Sequence, residues 1–122
     1  MTSSLGPLEV YQRAVRLGPT NRRVRTNLGF AYAAAGDLPR AAHEFEMGGR
    51  PAEAKNNLGF AYEQRGDLGN AFALYLEALR LDPQFGRARA NLLYVAGKLG
   101  KEVPADVTKE PGLAPGGGKT KP

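Results

Sequence analysis

The side chains able to do covalent or acid–base chemistry are few and scattered. His43 is the sole histidine, set between Ala42 and Glu44, and cysteine is absent from the 122 residues. A thiol nucleophile, a disulfide and a cysteine-held zinc are therefore excluded. No group of carboxylates has metal-ligand spacing. Gly116-Gly117-Gly118-Lys119-Thr120 has the composition of a phosphate loop, but it lacks the preceding strand and following helix that such a loop needs. What does recur is an amide. Asn27, Asn57 and Asn91 each open a similar run of residues. Asparagine is a middling helix former, so propensity does not explain its return. Its side chain offers N–H donors and a carbonyl acceptor, which is recognition chemistry and not catalysis. The expectation is a protein without enzymatic activity, metal or cofactor.

The elements that carry these amides show an internal repeat. Asn27-Leu28-Gly29-Phe30-Ala31-Tyr32 returns as Asn57-Leu58-Gly59-Phe60-Ala61-Tyr62, each followed at the same distance by Gly-Asp-Leu. A weaker third copy begins at Asn91-Leu92-Leu93-Tyr94. Leu58 and Leu92 are 34 residues apart, whereas Leu28 and Leu58 are only 30 apart. Within a unit, Leu58, Ala61, Tyr62 and Arg65 fall on one helical face, the first three apolar. Gly66 suits the end of that helix and Asp67 caps the next. The second helix carries Leu68, Ala71, Phe72, Tyr75, Ala78 and Leu79, and Asp82-Pro83 stops it.

These residues resemble the tetratricopeptide repeat, a 34-residue helix–turn–helix. Leu58, Gly59, Tyr62, Ala71, Tyr75, Ala78 and Pro83 match its pattern, as do Leu28, Gly29, Tyr32, Ala41 and Phe45 one unit earlier. Tyr11, Ala14 and Pro19 match the second half of a still earlier unit. The resemblance implies an all-α, right-handed solenoid of about six antiparallel helices. It divides the chain into a lead (1–7), a partial unit (8–21), a short unit (22–51), a full unit (52–85), a closing helix (86–99) and a tail (100–122) too rich in Pro, Gly and Lys to offset its ordering entropy. It implies core roles for Tyr32, Phe45, Tyr62 and Tyr75. It also implies that first helices line a concave groove for a peptide or protein partner, with Arg23, Glu53 and Arg87, then Asn27, Asn57 and Asn91, then Phe30, Phe60 and Tyr94 facing the ligand. The asparagine row either pairs with a peptide backbone or holds the stack together. The family's clamp for a terminal carboxylate is not expected, because Thr26 and Phe30 stand where its lysine and second asparagine belong.

Three departures from the pattern stand out. Arg25, Lys55 and Arg89 replace the usual aromatic of the first helix, their stems able to cover apolar surface. Four residues are deleted after Phe45, where Gly48-Gly49 replaces two apolar positions, so that the second helix should end near Met47. This is either a tolerated loop deletion or a change of twist that reshapes the partner site. The chain starts on a second helix, so Leu8, Tyr11 and Val15 are candidates for self-association into a homo-oligomer.

The formal charge of +5 is spread along the chain among Glu44, Glu46, Glu63 and Glu77. It reads as a solvated, mildly basic surface and not as a nucleic-acid stripe, with a preference for acidic peptide partners as the reading between the two. No apolar run reaches the length of a membrane span, and Met1 to Pro7 has neither a signal-peptide pattern nor a lipobox cysteine, which points to the cytoplasm. Abundant Arg, Ala, Gly and Pro fit a GC-rich bacterial genome. By analogy alone, small proteins of this kind serve as adaptors in pilus, secretion or envelope assembly.

Overall fold

The computed structural model describes residues 6–17 and 21–108. Among them the chain is all α, with seven helices. They are α1 (Pro7–Leu17), α2 (Arg22–Ala34), α3 (Leu38–Gly48), α4 (Pro51–Gln64), α5 (Leu68–Leu81), α6 (Gly86–Leu99) and α7 (Ala105–Thr108). Helices α1 to α6 each pack on their neighbours in the chain, and α2 also touches α4. No helix among the described residues is long and apolar enough to cross a membrane.

Local chemistry sets the boundaries. Asn21 Oδ1 accepts hydrogen bonds from the Arg23 and Val24 amides at 2.9 and 3.2 Å, capping α2. Asp37 and Asp67 do the same for α3 and α5, accepting from Arg40 N at 3.1 Å and Asn70 N at 3.2 Å. Before each aspartate the chain turns through a glycine in the left-handed region, Gly36 at φ 90° and Gly66 at φ 81°. The turns close identically, Asp37 N donating to Tyr32 O and Asp67 N to Tyr62 O, both at 2.9 Å. The third unit repeats that closure, Lys101 N donating to Ala96 O at 2.9 Å after Gly100. There Lys101 stands in place of the capping aspartate, and among the described residues only the short α7 follows.

Two buried clusters lie along the stack. One gathers Ala33, Ala41, Phe45, Ala54 and Ala61. The other gathers residues of α5 and α6 around Tyr75, Leu79, Leu92 and Val95. Each hairpin is drawn tight by a glycine. A Cβ on Gly29 would fall 2.5 Å from the Phe45 ring, and one on Gly59 would fall 2.8 Å from the Tyr75 ring. Phe45 and Tyr75 are fully buried, as expected. Tyr32 and Tyr62 are only half-buried, because each lies near the open turn at the end of its helix. Tyr32 keeps its hydroxyl at the surface, where it accepts from Gln12 Nε2 of α1 at 3.0 Å. Tyr75 donates to Glu63 Oε1 at 2.6 Å, and burial, reinforced by that carboxylate, pushes its phenol far above the ordinary tyrosine value.

The short unit is built on Gly48. Helix α3 ends there, within a residue of the expected end, and only Gly49-Arg50 separates it from Pro51. A Cβ on Gly48 would meet backbone, Arg22 O at 2.8 Å and Thr26 N at 2.9 Å, so the end of α3 lies directly against the first turns of α2. Arg22 Nε donates to Gly48 O at 3.2 Å across the same contact.

Two expectations are corrected. Glu44 is not a solvated surface charge. It is 8 % exposed and binds Arg25 at 2.9 Å between α2 and α3. Two long side chains at a helix crossing leave no room for water, so the pair is desolvated. The tail does not begin at Gly100 either. Residues 101–108 fold back onto the stack, and Val107 of α7 is buried among α5 and α6 side chains. Arg80 grips Asp106 with two bonds at 3.0 and 3.2 Å, and Arg89 donates to the carbonyls of Val107 and Pro83. These directed contacts offset an entropy cost that composition alone overstates. The phosphate-loop-like run and the rest of the expected tail lie outside the described residues, as does the Gly18-Pro19 turn.

Gly29→Ala should destabilise the fold by about 1–3 kcal/mol through overpacking against Phe45. Gly97→Ala, where a Cβ meets nothing within 4 Å, should instead stabilise it by up to about 1 kcal/mol. Urea denaturation checks both. In the same assay, Glu44→Ala should cost about 3–5 kcal/mol by stranding Arg25, whereas Arg25→Met combined with Glu44→Leu should recover most of the loss.

Candidate peptide-binding groove

The first helix of each hairpin contributes to one face. Because α2, α4 and α6 carry the repeated run in the same register, equivalent residues come side by side. Between them lies a cavity of about 510 Å³, lined by Thr26 and Phe30 of α2, Glu53, Asn56, Asn57 and Phe60 of α4, Phe85, and Arg87 and Asn91 of α6, with Gly49 at its edge. A second cavity of about 610 Å³ lies between the later halves of α2 and α4, lined by Phe30, Ala33, Ala34, Ala61, Gln64 and Arg65. Phe30 lines both. Its ring meets Phe45 edge-on at 4.7 Å and Phe60 at 6.1 Å, so it is pinned in the wall while Phe60 remains 39 % exposed.

Six of the nine residues expected to face a ligand come together here: Phe30, Glu53, Asn57, Phe60, Arg87 and Asn91. The other three do not line the cavity. Arg23 is exposed on the first turn of α2, and Asn27 is half-buried on the same helix. Tyr94 is 56 % exposed on α6 beneath the Lys98 ammonium, which lies 5.6 Å from its ring.

The amides do not form an unbroken row. Asn91 Nδ2 donates to Asn56 Oδ1 at 3.0 Å, so this third asparagine ties α6 to α4. Asn56 is 3 % exposed, and its Nδ2 donates to no protein group among the described residues. The repeat gives no signal for Asn56, whose place is taken by Thr26 and Ala90 in the flanking units.

Glu53 serves the fold as well as the cavity wall. Its Oε1 accepts from Arg50 N at 2.9 Å, closing the start of α4. Its carboxylate also meets the Arg50 guanidinium at 3.3 Å and Arg22 at 3.4 Å. The Arg50 backbone bond, then the charges of Arg50 and Arg22, hold its pKa below the ordinary glutamate value against the opposing effect of burial. Arg87 has no carboxylate partner among the described residues and lies over the Phe85 ring at 5.5 Å. Among the described residues no group of acidic or histidine side chains is placed to hold a metal ion. The face offers hydrogen bonds, aromatic edges and charge.

Antiparallel helix pairs stacked in register, with their first helices forming one lined face, define a helical-repeat solenoid. The tetratricopeptide repeat matches residues 52–85, which span α4, α5 and the turn that follows. Within that stretch the chain carries a tetratricopeptide repeat. Compared with curated proteins, it matches none.

Glu53→Gln should weaken the fold at neutral pH by about 1 kcal/mol, the scale of a lost helix-start cap. A lowered folded-state pKa makes the contribution of Glu53 complete above the ordinary glutamate value. It fades as pH falls through the lowered one. The stability gap between variant and parent should therefore close in strong acid, as followed by urea denaturation across pH.

Proposed function

We propose that the protein is a non-enzymatic interaction scaffold that binds an extended peptide segment of a partner along the face of α2, α4 and α6. The observation that carries this reading is the convergence in one cavity of an exposed aromatic, Phe60, with the Asn56 and Asn57 amides. Tetratricopeptide repeats generally mediate protein–protein interaction, which supports the same reading. An aromatic edge anchors an apolar side chain of a ligand, and amides bond its backbone without regard to sequence. The tie between Asn91 and Asn56 assigns Asn91 to orienting that amide, so the residues that meet the ligand directly are Asn57 and Phe60.

Self-association through α1 is the second reading. Leu8, Tyr11 and Val15 are half-buried and Val10 is 46 % exposed, on a helix that packs against α2. Service in pilus, secretion or envelope assembly has no support beyond analogy.

Selection from a displayed random-peptide library tests the groove. Enriched peptides should bind the parent and lose at least tenfold in affinity to a variant carrying Asn57→Ala and Phe60→Ala, with its melting temperature within a few degrees of the parent. Peptides that bind the variant equally well would place the site elsewhere.

A further inference from the structure

The charges around the groove are not balanced, and the imbalance specifies a partner. Glu53 is the one carboxylate lining either cavity, and it is already held by Arg50 and Arg22. The two cations lining the cavities have no such partner. Arg87 at the first and Arg65 at the second are both exposed, and neither joins an ion pair among the described residues. Of the other twelve described cations, six are in ion pairs among the described residues: Arg22, Arg25, Arg40, Arg50, Lys55 and Arg80. A free guanidinium in a partly desolvated groove is a ready receptor for a carboxylate.

Between the two arginines the wall sets apolar groups beside the Asn56 and Asn57 amides. Phe30 and Phe60 stand at the centre, and Ala33, Ala34 and Ala61 give the second cavity a floor small enough to admit a side chain.

Resting on the groove reading above, we propose that the ligand is an acidic extended peptide segment. It is apolar in the middle, with side-chain carboxylates on either side seated on Arg87 and Arg65. Nucleic acid fits less well. Two arginines, one at each cavity, do not make a phosphate track.

Fluorescence anisotropy with the full chain and end-blocked, labelled peptides tests this. The probe has two leucines flanked on each side by glutamates, and the control carries lysines in their place. The glutamate peptide should bind at least tenfold more tightly at low salt, with the gap narrowing as salt rises. The variant with Arg65→Glu and Arg87→Glu should reverse the preference. Both positions are exposed, and circular dichroism checks that the helices remain. Should that variant misfold, Arg65→Gln with Arg87→Gln should abolish the preference. Equal binding of the two peptides, or a preference that survives the charge swap, overturns the inference while leaving the groove reading intact. So does a single-stranded oligonucleotide that displaces the glutamate peptide from the groove. A library selection that yields no binder removes the groove reading itself.

Discussion

Everything in this stack depends on how closely paired helices approach. Phe45 and Tyr75 lie on the bare backbones of Gly29 and Gly59, so close that even a methyl group would collide. Burying a large ring this way removes it wholly from water and fixes the spacing of the two helices at once. The alanines around it, Ala41 and Ala71, follow from the same constraint, since both are fully buried at the crossing. In α6 the equivalent of these glycines is Leu93, which is 54 % exposed. No helix among the described residues crosses there, so the constraint is lifted and a large residue is accepted.

The short unit relocates one end of the stack without breaking it. Removing four residues brings the end of α3 against the start of α2, and Gly48 makes the contact possible. Arg22 then reaches both Gly48 O and Glu53, linking three helix ends. Gly49 and Glu53 sit at the edge of the first cavity. The short unit is thus joined by hydrogen bonds and an ion pair to the helices on either side of it.

At the other end the stack closes with very little chain. Lys101 replaces the aspartate that starts a second helix in the other units, and its ammonium lies instead 4.6 Å from the Phe72 ring. The chain then runs to Pro104 and one helical turn. A single buried valine, a two-bond arginine–aspartate pair and the bonds of Arg89 to two carbonyls hold that turn in place. Arg89 is one of the cations that replace the usual aromatic. Here it satisfies carbonyl groups at a helix end and at the closing turn.

The sequence by itself determined the repeat, the hairpin boundaries, the capping aspartates, the glycine turns and the end of α3. Each of these is a local matter, set by neighbours in the chain or by the spacing of apolar residues. Six of nine candidate groove residues line one cavity, because helices that carry a repeated run in register align equivalent positions. What only the tertiary structure decided are the pairings across helices. Arg25 with Glu44, Asn91 with Asn56, Arg80 with Asp106 and the burial of Val107 join residues from 18 to 35 positions apart or more than one helix away. A polar side chain carries no mark in the sequence of whether water or another helix will satisfy it. That choice falls to packing, which here turned an expected surface charge into a buried pair, tied the Asn91 amide to Asn56 between α6 and α4, and folded the start of an expected tail back onto the stack.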